Sequence, residues 1–301
     1  MRKYIVGTYP DAGSRGVYSF ALENGTMTRP YLFLRTEGPK YVASEKIGTV
    51  AVAGRGERYG VVLLNALGNV KDEILFEKCP ACYVGIDNDH VYTANYHTGV
   101  CSDLKIIGGM LHLRHKIAIG AEAGCHQVLV HGDELYVPCL CQDRIAVFDK
   151  TTYVERGTIV FPEGTGPRHG VFSQDGNTLY IAGETSGILY TIDAVSHNIV
   201  HLDHITGTGM PAAVRMDDTE SHLYVSVRGT GEIVIFDLVN GYPRKKAVVP
   251  SCGRRPQDIL LCESGILCAD RDAGKVYLLD ESGKVLDEIL VPGASSIAEI
   301  K

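Results

Sequence analysis

The chain has 301 residues, nine cysteines and a formal net charge of −7. This acidic balance argues against binding to nucleic acid or to an anionic membrane surface, because both partners require a basic protein face. The sequence contains no run of about 18 apolar residues, the length needed to span a membrane. The first residues, MRKYIVGTYPDAG, hold too few apolar residues for a secretory signal, so we expect a cytoplasmic protein.

Short β-rich runs separated by turn residues are predicted from the first residues onward. Residues 4–9 (YIVGTY) form the first strand, and residues 16–20 with the Asn24-Gly25 turn form a hairpin beside it. A less regular unit follows at about 39–75, and a clearer one, YVGIDNDHVYTANYHTG, lies at 83–99. The clearest copy is GPRHGVFSQDGNTLYIAGET at 166–185, which predicts a strand, a turn and a second strand.

These units repeat at a nearly constant spacing. Tyr92, Tyr136, Tyr180 and Tyr224 occupy the same place in successive copies, 44 residues apart, and Ile5, Val50 and Leu267 continue the series. A period of about 40 to 45 residues with short strands and Gly/Asn/Asp turns is typical of a β-propeller with four strands per blade. The sequence therefore predicts an all-β, seven-bladed β-propeller that forms a single domain, 1–301.

The two ends of the chain are predicted to close the ring. The first strand, 4–9, matches the second strand of the repeat and has no first strand before it. Residues 293–300 match the first-strand pattern of 167–172. We therefore expect the C-terminal strand to pair beside Ile5, which removes two free sheet edges.

The cysteines do not predict a disulfide framework. Their number is odd, and they share no position among the seven repeats. Cys79-Pro-Ala-Cys82 resembles half of a zinc site, but no second pair follows at ligand spacing, and we interpret both residues as structural.

Four polar residues stand where side chains of neighbouring blades should converge. His126 and Arg168 begin first strands of adjacent blades, and Glu184 and Arg228 follow second strands one repeat apart. Each has a structural interpretation, as a satisfied histidine or a solvated charge. Together they predict an anion site beside a titratable base. Further residues at matching strand ends, with rim packing as the alternative role, are Tyr9, Asn95, Tyr96, His169 and Arg271.

At these residues the chain resembles the seven-bladed lactonase propellers, a family that includes bacterial 6-phosphogluconolactonase and, more distantly, fungal carboxymuconate lactonizing enzyme. The resemblance covers the whole chain and rests on IVGTY, GVYSF, TANYHTG, GCHQ, LYVPCLCQDRIAVFD, GPRHGVF, LYIAGET and LYVSVRG. It implies that His126, Arg168, Glu184 and Arg228 form the active site. The chain departs from the family pattern in Gly183 before the glutamate, in Val227 before the second arginine, and in shorter outer loops.

The resemblance implies hydrolysis of a small anionic sugar lactone at the mouth of the central channel. Arg168 and Arg228 would hold the anionic group or the oxyanion, and either His126 or Glu184 would be the base. The absence of a GxSxG motif argues against an acyl-enzyme, and no carboxylate and asparagine cluster suggests a metal, so we expect no cofactor. The alternatives are a carboxymuconate-type cycloisomerase and a propeller that only binds a ligand or a protein.

Overall fold

The computed structural model describes residues 1–10, 13–207, 209–251 and 253–301. The described residues form seven antiparallel sheets arranged as the blades of a propeller. The seven-bladed all-β prediction is confirmed, and the one described helical element is a 3-10 turn, Leu140–Gln142. No helix of the described chain is long and apolar enough to cross a membrane.

Each blade contains four strand positions, counted from the channel outward. For blades 1 to 7, the first strands are β29 (Ala294–Glu299), β5 (Val42–Glu45), β9 (Tyr83–Asp87), β13 (Leu129–His131), β17 (Pro167–Phe172), β21 (Pro211–Met216) and β25 (Pro256–Cys262). The second strands are β1 (Arg2–Thr8), β6 (Gly48–Arg55), β10 (His90–Asn95), β14 (Glu134–Cys139), β18 (Thr178–Gly183), β22 (His222–Val227) and β26 (Gly265–Asp270).

The two outer positions complete each sheet. The third strands are β2 (Gly16–Glu23), β7 (Arg58–Leu64), β11 (Val100–Ile107), β15 (Arg144–Asp149), β19 (Ile188–Asp193), β23 (Glu232–Val239) and β27 (Lys275–Leu279). The fourth strands are β3 (Thr26–Met27) with β4 (Tyr31–Arg35), β8 (Val70–Glu77), β12 (Met110–Ala118), β16 (Glu155–Val160), β20 (Ile199–His204), β24 (Tyr242–Pro250) and β28 (Val285–Leu290). In blade 1 this position is split around Pro30, because proline cannot donate a backbone hydrogen bond.

The C-terminal strand closes the ring as predicted. β29 pairs antiparallel with β1, from Tyr4 opposite Glu299 to Thr8 opposite Ala294. It also lies between the first strands of blades 7 and 2. Its backbone is tied to blade 7 through the Ile297 amide, which donates to Asp258 Oδ2 at 3.1 Å.

The repeated tyrosines join neighbouring blades. Tyr180 of blade 5 packs with Val214, Leu223 and Phe236 of blade 6, and its hydroxyl donates to the Gly241 carbonyl of that blade at 2.7 Å. Tyr92, Tyr136 and Tyr224 are likewise buried against the blade that follows them. Each tyrosine therefore buries a large ring between two neighbouring sheets, which explains the 44-residue spacing.

The cysteines that the structure describes form no disulfide with one another. Cys252 lies outside the described residues. The absence of a disulfide framework among the described cysteines agrees with the odd count and the scattered positions.

Candidate active site

A β-bulge at the start of the first strands aims consecutive side chains into the channel. In blade 5, Pro167 pairs with Gly183 and Gly170 pairs with Ile181, so Arg168 and His169 together face Ala182 alone. The same slip occurs in blades 6 and 7. Such a bulge adds one residue and interrupts the alternation of side chains, which brings the two residues of the bulge to the same side. We call the first of these positions, taken around the propeller, the upper ring: Ser295, Lys40, Cys82, His126, Arg168, Ala212 and Gln257.

Six of the seven upper-ring residues line one cavity, which we call the mouth cavity. It has an outer part of about 190 Å³ and a deeper part of about 20 Å³. This volume is below the roughly 300 to 1,000 Å³ of drug-sized sites, so the mouth cavity suits a single small ring. The remaining lining residues come from the second-strand ends and from the layer below: Tyr9, Tyr41, Tyr96, His97, His169, Glu184 and Arg228.

Glu184 joins the two predicted arginines across adjacent blades. Its Oε2 lies 2.8 Å from Arg168 Nε and 2.5 Å from Arg228 Nη2. These contacts are ion pairs rather than aligned hydrogen bonds, since none of the three atoms has a hydrogen-bond partner among the described residues. Arg168 Nη1 is also buried and has no hydrogen-bond partner among the described residues, so it is the donor best suited to an incoming anion.

Backbone contacts hold the two arginines in place. Asp143 of blade 4 accepts the Gly164 and Gly166 amides at 2.8 and 2.7 Å, which fixes the loop immediately before Arg168. Arg228 Nε donates to the Met210 carbonyl at 3.4 Å. The Arg168 side chain is only 4% exposed, and burial followed by the charge of Arg228 lowers the pKa of its guanidinium. Ordering the loop before the strand therefore pre-positions a desolvated positive charge.

His126 lies on the blade beside Arg168 and is partly accessible from the mouth cavity. Enclosure by protein, and then the positive charges of Arg168 and Arg228, lower the pKa of His126 well below its usual range. The imidazole is therefore neutral at physiological pH and able to accept a proton. Its Nδ1 lies 3.8 Å from Cys82 Sγ, and its ring meets Tyr96 edge to face at 5.6 Å.

Cys82 is a cavity residue that the sequence interpretation treated as structural. Burial raises the pKa of the Cys82 thiol to about 11, although Arg168 and Lys40 oppose this shift. The thiol contacts the Cys125 carbonyl at 3.2 Å. Alignment of Ala81-Cys82-Tyr83 with Pro167-Arg168-His169 was the signal that could have placed Cys82 in the upper ring.

The other sequence-predicted residues divide into three groups. Tyr9 and Tyr96 line the outer part of the mouth cavity, whereas His169 lines its deeper part. Arg271 stacks over the Tyr9 ring at 4.3 Å without lining the cavity itself. Asn95 is not brought to the cavity, because its side chain is buried and serves a turn, donating to the Cys79 carbonyl and accepting the amides of residues 97 and 98.

Lys40 and Gln257 were not among the predicted residues. Both occupy the upper ring and line the deeper and outer parts of the mouth cavity. Lys40 Nζ also lies 5.3 Å from the centre of the Tyr9 ring. Their alignment with Arg168 in the repeat identifies them as cavity residues. This alignment is informative only once the bulge shows which positions of the first strands face the channel.

A larger cavity of about 660 Å³ opens at the other end of the channel, where the first strands of blades 6, 7, 1 and 2 end. Both of its arginines already have ion-pair partners: Arg2 pairs with Glu263 and Glu299, and Arg215 pairs with Asp258. Tyr41 lines both cavities. Tyr41, Tyr83 and His169 form an aromatic layer between them, with ring centres 4.9 to 6.3 Å apart. Of these two cavities in the described part of the chain, the mouth cavity is the candidate site, since it combines an unsatisfied buried arginine nitrogen with a neutral histidine.

Within the described residues, no group of three or more His, Cys, Asp and Glu side chains is arranged to hold a metal ion. Metal independence stays a prediction.

The fold and the mouth cavity define a propeller with a small, polar, enzyme-like site at one end of its channel. Residues 3–287 match the family described as "Lactonase, 7-bladed beta-propeller", and the chain belongs to this family of lactone hydrolases. The 6-phosphogluconolactonase of Bacillus subtilis is 26% identical, and the alignment covers 99% of this chain and 97% of that protein. A Staphylococcus saprophyticus protein without an assigned function is 27% identical over 94% of this chain and 93% of its own length.

Solved structures support the fold. A Lactobacillus plantarum protein superposes with a TM-score of 0.89 at 23% identity, covering 100% of this chain and 99% of the other. A periplasmic gluconolactonase of Pseudomonas aeruginosa gives a TM-score of 0.84 at 19% identity, with 100% and 99% coverage. At these identities the likeness concerns the propeller architecture.

Proposed function

We propose that the protein hydrolyses a sugar lactone that carries an anionic group, such as a phosphorylated aldonolactone, in the mouth cavity and without a metal. One observation carries the proposal: Glu184 holds two arginines together, one of them with a buried Nη1 that has no partner among the described residues, beside a neutral His126. The named activity of the Bacillus subtilis relative agrees with this chemistry. The cytoplasmic location belongs to the same proposal.

The contacts of these residues support a division of roles in the proposed reaction. Glu184 already shares one oxygen between two guanidinium groups, so its role is to hold them, and His126 is the base. His126 takes a proton from the attacking water and returns it to the ring oxygen as the acyl bond breaks. One arginine stabilises the carbonyl oxyanion, and the other holds the anionic substituent.

Cys82 is not expected to form an acyl-enzyme, because its pKa of about 11 keeps the thiol protonated near neutral pH. The proposed nucleophile is therefore water, activated by His126. The result agrees with the absence of a nucleophilic serine motif in the sequence.

A pH-stat assay tests the proposed function. The purified protein should release acid from 6-phosphogluconolactone faster than the spontaneous rate, and more efficiently than from unphosphorylated glucono-δ-lactone. Chelator treatment followed by dialysis should leave the rate unchanged, and loss of activity that calcium or zinc restores would contradict metal independence. Absence of lactone hydrolysis, with turnover of a carboxymuconolactone seen by ultraviolet absorbance, would instead establish the cycloisomerase alternative. If the protein acts on neither sugar lactones nor carboxymuconolactone, the remaining alternative is a propeller that only binds a ligand or a protein.

Arg228→Lys should lower kcat/KM about 10- to 150-fold. Lysine keeps the charge beside Glu184 but loses the planar fork, which costs about 1.5 to 3 kcal/mol for a charge-assisted contact. Steady-state kinetics on phosphorylated and unphosphorylated lactones measure the effect. A penalty that shrinks for the unphosphorylated lactone assigns Arg228 to the phosphate, and an equal penalty assigns it to the oxyanion. Wild-type kinetics on both substrates would remove Arg228 from the site.

The acid limb of the pH profile of kcat/KM should lie well below pH 6.5, and its position should depend on the charge of Arg228. The Arg228 charge helps to lower the pKa of His126, so Arg228→Gln raises that pKa and moves the acid limb of kcat/KM to higher pH. The matched control, Arg228→Lys, keeps the charge and should keep the limb in place. The same limb in all three proteins would contradict the assignment of His126 as the base.

A further inference from the structure

Gln257 carries an unsatisfied hydrogen-bonding atom in the mouth cavity. The residue is 7% exposed, and its Oε1 is buried without a hydrogen-bond partner among the described residues. Gln257 lines both the deeper and the outer part of the cavity. A buried amide oxygen without a partner is costly, so the site is built for a group that binds there.

The position of Gln257 separates it from the reacting groups. In the upper ring, His126 and Arg168 belong to blades 4 and 5, whereas Gln257 belongs to blade 7, next to Ser295 of blade 1. A ring of seven places blade 7 across the channel from blades 3 and 4. A small lactone with its carbonyl at His126 and Arg168 would therefore present its far side to Gln257.

The chemistry of the amide selects the kind of group on that far side. An amide oxygen accepts and an amide nitrogen donates, so a hydroxyl, which does both, satisfies either atom whichever way the amide is turned. A phosphate dianion or a carboxylate would satisfy only the amide nitrogen, because it has no hydrogen to donate to Oε1, the atom that lacks a partner. An apolar ring edge would leave Oε1 unsatisfied.

We infer that Gln257 is a specificity-determining residue that binds a hydroxyl of the substrate ring and so selects polyhydroxylated lactones over deoxygenated or muconate-derived ones. This inference rests on the proposed lactone hydrolysis, and it names the substrate group that Gln257 recognises. A site built to hydrogen-bond a substrate hydroxyl discriminates strongly against the analogue that lacks it.

The test compares two variants at equivalent upper-ring positions on two lactones. Gln257→Leu has similar volume but no hydrogen-bonding group. Ser295→Ala is the matched control, because the Ser295 hydroxyl already donates to the Lys40 carbonyl at 2.7 Å. The substrates are glucono-δ-lactone and unsubstituted δ-valerolactone, followed by pH-stat, with circular dichroism and melting temperature to verify folding.

Gln257→Leu should lower kcat/KM for glucono-δ-lactone about 5- to 150-fold and change that for δ-valerolactone less than about twofold. Ser295→Ala should change kcat/KM by the same factor for glucono-δ-lactone and for δ-valerolactone. An equal loss on both lactones for Gln257→Leu, or no loss on either, would overturn the inference.

Binding of gluconate and of 5-hydroxyvalerate, measured by calorimetry, separates this inference from the proposed function. If the wild-type protein hydrolyses neither these two lactones nor 6-phosphogluconolactone, the proposed function fails, and the binding preference still decides the role of Gln257. A preference for gluconate that Gln257→Leu abolishes supports hydroxyl recognition. A preference that survives the substitution, or no gluconate binding by the wild type, rejects it.

Discussion

His126→Asn should lower kcat/KM for the lactone substrate about 100- to 10,000-fold, the range expected for loss of a general base. Asparagine is smaller than histidine but polar, and it cannot take a proton from water at neutral pH. His126 is neutral in the folded protein, so its replacement removes no buried charge, and the melting temperature should change little. Steady-state kinetics at pH 7 with a thermal melt of each protein measure both effects.

His97→Asn is the matched control for this substitution. His97 lines the same cavity and meets the Tyr96 ring edge to face at 5.3 Å, but it is not in the upper ring. Its replacement should change kcat/KM by no more than a few-fold. Comparable losses in both variants would show a general requirement for histidine at the mouth. Activity retained in His126→Asn and lost in Glu184→Gln would assign the base to Glu184.

Deletion of residues 293–301 should cost several kcal/mol of stability and lower the melting temperature by about 10 °C or more. The deletion removes β29, which pairs with β1 and buries Ala294 and Ile297. It also removes the Ile297 amide from Asp258, a buried carboxylate that pairs with Arg215 at 2.6 Å. The bare edge of β1 should then promote association between chains.

Calorimetry and size-exclusion chromatography measure this loss. Removal of Lys301 alone is the control, because that residue is exposed and lies beyond β29. An unchanged melting temperature after deletion of 293–301 would show that ring closure contributes little. A loss of the same size on removing Lys301 would place the effect outside the strand pairing.

The repeat made the fold predictable from the sequence. Each repeat tyrosine is buried against the next blade, so the packing constraint that sets the 44-residue spacing is the one that defines the blades. The split of the fourth strand in blade 1 was not predicted, although Pro30 marks its position. A proline shows where a strand is interrupted, but not that pairing resumes on the same neighbour.

The site was predictable only in part, because the bulge breaks the rule that side chains alternate. Arg168 and His169 are consecutive, yet both line the mouth cavity. Simple alternation of side chains would place one of them in a sheet interface. For the same reason it does not predict that Cys82, Lys40 and Gln257 face the cavity. Asn95 shows the opposite difficulty, since a polar residue at a strand end can equally hydrogen-bond its own turn.

The aromatic layer of Tyr41, Tyr83 and His169 lies between the mouth cavity, where we propose that the reaction takes place, and the cavity at the other end of the channel. In the proposed reaction, water and lactone would enter, and the ring-opened acid would leave, on the side of the mouth cavity that Tyr9, Tyr96 and Arg228 line. The released acid then occupies the entrance through which the next lactone arrives. Inhibition by the product should accordingly be competitive. Accumulated acid should slow turnover because it occupies the mouth cavity, and no conformational change of the protein is required.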